Sequence, residues 1–369
     1  MTKIHRRIMR SLSVALAPLL VLLVVGAVPA VAAGSTGAVY TLSNDATGNA
    51  VVVFDRAADG TLSPAGSVAT GGLGSGAGLG SQGALVMSDD GRWLLAVNAG
   101  SDELSAFAVT ETGINLTDVA ATGGDLPISV TIHGNLIYVL NDGSDELTGL
   151  RISNRGELTR LSRSAIGLST SGVEPAQVEF TPNGRQVIVT EKNTDLIDLY
   201  RVHGGGRLSG PRGLPSEGAT PFGFAFDPAG RLIVSEAFGG APDASAMSSY
   251  RVGRGTLSTI SASVPTGQTA ACWVVVTPDG RFAYTTNTGS ASVSGYEIAA
   301  DGALTLFDGV AGTTNAAPID MGIAEGAFLY TLDSGSAAIS AFGIGSDGSL
   351  SPIAGASGLP ATAVGLAVS

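Results

Sequence analysis

The side chains best placed to do chemistry are carboxylates and amides. Glu191 and Glu236 each follow directly on an alternating apolar stretch (Val-Thr-Glu and Val-Ser-Glu), where the corresponding stretches elsewhere end in Asn or Asp. Carboxylates brought together away from water raise one another's pKa and become general acids or bases. On this reading Glu191 is the base that activates water and Glu236 a second carboxylate, with Lys192 or Arg212 stabilising an oxyanion. Gln177, Asn193, Asn98, Asn141 and Asn287 supply amides that could bind a ligand. The same loops hold Asn44, Asp45, Asp102, Glu103, Asp142, Asp145, Glu146, Asp195 and Asp333. Oxygen-rich loops of this kind suit a hard cation such as calcium. No spacing dedicates them to a metal, and turn formation explains Asn and Asp in loops equally well.

Other candidates lead away from chemistry. His133 and His203 each sit beside a turn glycine and read as surface residues on the face opposite the carboxylates. A Ser-His-acid triad is not expected, and no Gly-x-Ser-x-Gly elbow is present. Cys272 is the one cysteine and lies in the apolar run Ala271–Val276, so it reads as a small buried hydrophobe with no disulfide partner. Gly78-Leu79-Gly80-Ser81-Gln82-Gly83 fits a dinucleotide glycine pattern but precedes a strand rather than opening a helix. The stretch Thr70–Gly83 reads instead as a flexible connector. Phe222, Phe224 and Phe226 alternate on one strand and are expected in core packing rather than in a pocket.

A repeat positions these residues. Gly-x-Leu-Ser/Thr recurs with its glycine at 60, 156, 206, 255, 302 and 348, and a copy with one extra residue begins at Gly113. Successive glycines are 53, 43, 50, 49, 47 and 46 residues apart, a period that marks an array of propeller blades. One unit reads as four antiparallel strands. Pro175–Thr181 is the first and Arg185–Thr190 the second. Leu196–Val202 is the third, and the fourth opens at Leu208. The chain begins at a second strand, 38–42, and ends at 361–368 with a first strand that no turn follows. The C-terminal strand is therefore expected to join the N-terminal blade and close a ring of seven, removing the exposed edges. The predicted fold is an all-β, seven-bladed β-propeller of four-stranded blades over residues 34–369.

Residues 1–33 read as a secretory signal peptide. Lys3, Arg6, Arg7 and Arg10 precede an apolar run from Leu12 to Val28, and small-residue cleavage sites follow. The protein is expected to be secreted or held in the cell envelope, with no membrane-spanning segment after cleavage. The formal charge of −12 becomes −16 once those four basic residues leave. That balance argues against nucleic acid and against a phosphorylated substrate.

The segments Leu95-Ala96-Val97-Asn98…Ser101, Tyr138-Val139-Leu140-Asn141…Ser144 and Tyr284-Thr285-Thr286-Asn287…Ser290 resemble YVTN-type propeller repeats. Over its length from residue 34 the chain is similar to the lactonase family of seven-bladed propellers. That family includes bacterial 6-phosphogluconolactonase and the fungal carboxymuconate cyclase type. Its enzymes carry Pro-Arg-His at the start of an inner strand. The matching position here is Pro175-Ala176-Gln177, so the Arg and His are replaced, while a Glu near the end of the next strand is retained as Glu191.

Two functions follow as expectations. The first is a monomeric binding module for a ligand, glycan or protein on an acidic face, with no cofactor unless calcium serves as one. The alternative is a hydrolase or cyclase acting on a small unphosphorylated lactone through carboxylates.

Overall fold

The computed structural model describes residues 36–369. The signal-peptide reading of residues 1–33 lies outside the described residues. Seven antiparallel sheets form the blades, and the first is assembled from both chain ends. Val364–Val368 pairs with Gly37–Leu42, so the C-terminal strand is the innermost strand of blade 1, as expected. The innermost strands of blades 2 to 7 are Leu85–Met87, Pro127–His133, Pro175–Phe180, Pro221–Phe226, Ala271–Val276 and Pro318–Ala324. Blade 3 departs from the four-strand pattern because its outer strand is broken into Leu158–Arg160 and Ile166–Gly167. No helix among the described residues is long and apolar enough to cross a membrane.

The packing of one blade on the next explains the repeated glycine. Gly60, Gly156, Gly206, Gly302 and Gly348 all have positive φ. A Cβ on any of them would meet the first side chain of the preceding blade's second strand. Those side chains are Phe328, Trp93, Leu136, Arg231 and Phe282, at 2.3 to 2.8 Å. Only glycine meets both demands. Three glycine carbonyls also accept a tyrosine hydroxyl from the preceding blade: Tyr138 to Gly206, Tyr284 to Gly348 and Tyr330 to Gly60, at 2.7 to 2.8 Å. Two copies are exceptions: a Cβ on Gly113 would meet nothing within 4 Å, and one on Gly255 would meet only the Arg212 side chain, at 3.7 Å.

Each second strand runs one residue further than its apolar pattern suggests. Its last residue is Asn98, Asn141, Glu191, Glu236, Asn287 or Asp333 in blades 2 to 7. All six are buried. Each reaches diagonally across to the third strand of its own blade. Asn98 donates to Ser105, Asn141 to Thr148 and Asn287 to Ser294; Glu236 accepts from Ser248 and Asp333 from Ser340. In blade 4 the partner is a second acid, Asp198. Two carboxyl groups can hydrogen-bond only if one keeps a proton. Burial, followed by the neighbouring Glu191 charge, therefore holds Asp198 well above the usual carboxylate range.

Two predictions arise here. Deleting residues 364–369 removes the buried side chains of Val364 and Leu366 and bares the edge of the Gly37–Leu42 strand. At roughly 1.5–3 kcal/mol for each large apolar side chain, the loss is at least about 3 kcal/mol. Denaturant unfolding should show it, accompanied by self-association. The second concerns Asp198, whose pKa is higher folded than unfolded. Its contribution to stability is full in acid and is lost as pH climbs from the ordinary carboxylate range through the raised folded value. Asp198→Asn keeps a hydrogen-bonding partner for Glu191 without the second titration. Its Tm should fall less than that of the wild type between pH 5 and pH 9, and equal falls would show that no proton is shared.

Candidate functional site

The central channel is closed from one side by the chain itself. Residues 78–83, part of the connector between blades 1 and 2, lie across it and are tied down throughout. Ser81 donates through Oγ to Ile128 of blade 3 at 2.8 Å, and its carbonyl accepts from the Trp273 indole of blade 6 at 3.1 Å. The Gln82 backbone donates to Ala176 of blade 4 at 3.0 Å. Its side-chain amide pairs with Val274 like a strand residue, Nε2 to the carbonyl at 3.1 Å and Oε1 from the N–H at 3.2 Å. Val130 donates to the Gly83 carbonyl at 2.8 Å. A Cβ at Gly223 would lie 2.2 Å from the Gln82 Oε1, so the inner strand of blade 5 can pass only as glycine. The stretch expected to be a flexible connector is thus a fixed crosspiece, because its polar groups satisfy inner-strand groups that have no strand beside them.

On the other side of this crosspiece the channel opens as a cup of about 600 Å³. Its mouth lies among the turns that join first and second strands, where Pro182, Pro228 and Pro278 form an exposed rim. Its wall carries Glu179, Asp320, Gln177, His133, Phe226 and Asp89. None of the described residues lining it is Lys or Arg.

Glu179 is the wall's best-placed acid. It projects from the inner strand of blade 4, partly exposed, and its Oε2 accepts from Gln177 Nε2 at 2.9 Å. Burial, reinforced by the Asp89 charge and opposed by the Gln177 hydrogen bond, pushes its pKa up to about 8. Asp320 is buried in the wall, and its oxygens accept backbone N–H groups of Met321 at 2.8 Å and Leu366 at 3.1 Å. Burial outweighs those donors and raises it to about 8 as well. Gln177 also bridges to blade 5, accepting from the Phe224 N–H at 2.6 Å and donating to the Phe224 carbonyl at 3.0 Å. Its amide hydrogens are therefore both committed.

Of the residues expected to act, the structure brings only Gln177 to the cup. Glu191 is fully buried within blade 4 and accepts from Ser169 N at 3.0 Å, Ser169 Oγ at 2.5 Å and Thr194 Oγ1 at 2.6 Å. Glu236 is equally buried, holding Gly218 N at 2.9 Å and Ser263 Oγ at 2.7 Å. Both fasten loops to strands and neither meets the channel. Asn98, Asn141 and Asn287 are also buried, each donating to the third strand of its own blade. Lys192 is half-buried on the connector side, donating to the Gly80 carbonyl at 2.7 Å with its ammonium 4.9 Å from the Phe222 ring centre. Burial lowers its pKa. Asn193 is exposed and donates to Gly172 at 3.1 Å, and Arg212 is exposed on an outer strand. No group of three or more His, Cys, Asp or Glu among the described residues could hold a metal ion.

The sequence reading missed Glu179 and Asp320, and it placed His133 on the turn side without connecting that side to the channel. His133 ends the inner strand of blade 3 and lines the cup, its ring 5.6 Å from that of Phe180. The signal was present, since a turn between first and second strands also borders the channel. Of the three phenylalanines, Phe224 is fully buried and Phe222 packs on Trp273 at 5.0 Å, whereas Phe226 lines the cup. Cys272 is buried, and burial raises its thiol to about 12.

Comparison with known proteins agrees with this fold. The family profile described as "Lactonase, 7-bladed beta-propeller" matches residues 39–170, 167–237 and 245–364. A 6-phosphogluconolactonase of Yersinia pestis (strain Pestoides F) is 26% identical over 123 residues, which is 32% of this chain and 37% of that enzyme. A counterpart from Yersinia enterocolitica is 24% identical over 124 residues, and again only 37% of its length is matched. Among solved structures, the periplasmic gluconolactonase of Pseudomonas aeruginosa superposes with a TM-score of 0.69 at 18% identity, covering 89% of this chain and 99% of that one. A Lactobacillus plantarum protein gives 0.73 at 19% identity, covering 90% and 99%. At these identities the structures speak for the fold alone. Blade number, ring closure and the near-complete profile match together make this chain a member of the seven-bladed β-propeller lactonase family.

Proposed function

We propose that this protein hydrolyses an unphosphorylated lactone in the channel cup, with Glu179 as the general base. The observation that carries this reading is a cup of about 600 Å³ whose wall holds a partly exposed, hydrogen-bonded carboxyl group and no cation. Family membership and the 6-phosphogluconolactonase relatives support lactone chemistry. The wall directs it to an uncharged ring, because a phosphate would meet Asp89, Glu179 and Asp320 with no Lys or Arg to balance them. The basic and apolar first 33 residues support action outside the cytoplasm.

In this mechanism ionised Glu179 takes a proton from water as the water oxygen bonds to the lactone carbonyl carbon. The ring C–O bond then breaks. The proton passes from Glu179 to the departing ring oxygen, leaving a hydroxy acid. His133 is the imidazole donor that the wall offers to the carbonyl oxygen. The product carries a new carboxylate into a wall that already has four carboxyl groups, Asp89, Glu179, Asp227 and Asp320, which favours its release.

Two outcomes are expected. Glu179→Gln should lower kcat on unphosphorylated sugar and aliphatic lactones by about 100-fold or more, over the uncatalysed background, with KM little changed. Loss of turnover with Glu191→Gln but not with Glu179→Gln would overturn the assignment. No lactone turned over by folded protein would return the chain to the binding-module reading. The second outcome concerns pH. A base must be ionised to act, so kcat/KM should rise with pH and level off above about 8. Asp89→Asn removes a like charge near Glu179 and should move that inflection to lower pH. An inflection that stays in place would separate Asp89 from the acting group.

A further inference from the structure

The crosspiece at residues 78–83 divides the channel into two unequal spaces. Below it is the cup. Above it, on the connector side, is a hollow of about 250 Å³ bounded by Trp273, Ile319, Ala361 and Val364. Residues 78–81 line the hollow, while Gln82 and Gly83 line the cup. Gln82 is therefore the last side chain a ligand meets on its way in from the turn side. It is fixed on both sides, to Ala176 of blade 4 and to Val274 of blade 6, with blade 5 reduced to glycine beneath its amide. The Trp273 indole and the Lys192 ammonium hold the two preceding carbonyls from above. A segment hydrogen-bonded to blades 3, 4 and 6 stays in place when a ligand arrives.

We infer that Gln82 is the specificity-determining floor of the cup, and that ligands enter and leave by the turn-side mouth. A substrate is then limited at its inner end by the Gln82 amide, which favours a compact lactone over one with a long substituent on the ring. The lactone part of this inference rests on the hydrolase reading. The position of the entrance does not.

The experiment has one arm for each. Val276 lies on the cup wall and is partly exposed, so Val276→Cys places a thiol there, while native Cys272 stays buried. Pro182 is exposed on the turn-side rim and Ala361 is exposed at the connector-side hollow. In the Val276→Cys protein, adding Pro182→Trp should slow modification by methyl methanethiosulfonate at least tenfold. Adding Ala361→Trp should leave the rate within twofold. The reverse pattern, or no slowing by either tryptophan, overturns the turn-side entrance. In the second arm, Gln82→Ala removes the amide at the inner end of the cup and deepens it there. The ratio of kcat/KM for a ten-carbon aliphatic lactone to that for a five-carbon one should rise at least tenfold. An unchanged ratio in folded protein overturns the floor. If the wild type turns over neither lactone, the hydrolase reading fails and the floor loses its role in substrate choice, while the thiol arm still decides the entrance.

Discussion

Every blade of this propeller ends at the channel in a strand with one unpaired edge. Those N–H and C=O groups are out of reach of the next blade's backbone and shut away from bulk water, and buried backbone groups without partners are costly. Side chains complete the ring. Ser129 and Thr131 accept from Val178 and Phe180 between blades 3 and 4. Gln177 joins blades 4 and 5 through Phe224. Ser235 donates to Cys272 between blades 5 and 6, and Asp320 accepts from Leu366 between blades 7 and 1. Gln82 links blades 4 and 6 across the middle.

This constraint decides which polar groups remain for chemistry. Gln177 occupies the position where the family's enzymes place a histidine, yet both its amide hydrogens are spent on the wall. Asp320 is similarly engaged by backbone donors. Glu179, partly exposed on an inner strand, is the acid we propose to act. It stands on the same strand as Gln177, two residues on, so the bond that steadies the strand also fixes the carboxyl group. Positioning by a rigid inner strand is what a general base needs, because a misplaced base loses the benefit of proximity.

A second set of buried polar contacts works within the blades. In sequence, the residue ending each second strand reads as a loop residue facing solvent or ligand, since Asn, Asp and Glu after an apolar run mark a turn. In the fold it is the last rung of the sheet, bonded across to a Ser, Thr or Asp of the third strand. Glu191 and Glu236 stood out because four of the other five blades end their second strands in Asn or Asp. The difference is met locally. Serine, threonine and loop N–H groups supply the donors that a carboxylate requires and an amide partly provides for itself.

The architecture was legible in the chain because it depends on local and periodic facts. In five of its seven copies, the repeated glycine marks where one blade's turn presses on the side chain that opens the preceding blade's second strand. That contact tolerates neither a Cβ nor negative φ. The unmatched strands at the two ends predicted their own pairing, and Val364–Val368 lies against Gly37–Leu42 accordingly. The site was not legible in the same way. Glu179 reads in sequence as one polar residue of an alternating strand, and Gln82 as part of a glycine-rich link. Their significance comes from residues about 90 to 190 positions away: Asp89 for Glu179, Val274 for Gln82. Sequence alone determined how many blades there are and how the ring closes, since turns and short strands obey near-neighbour sterics. Only the tertiary structure decided which end of the channel is open and which carboxyl group faces it, because both follow from contacts between blades far apart in the chain.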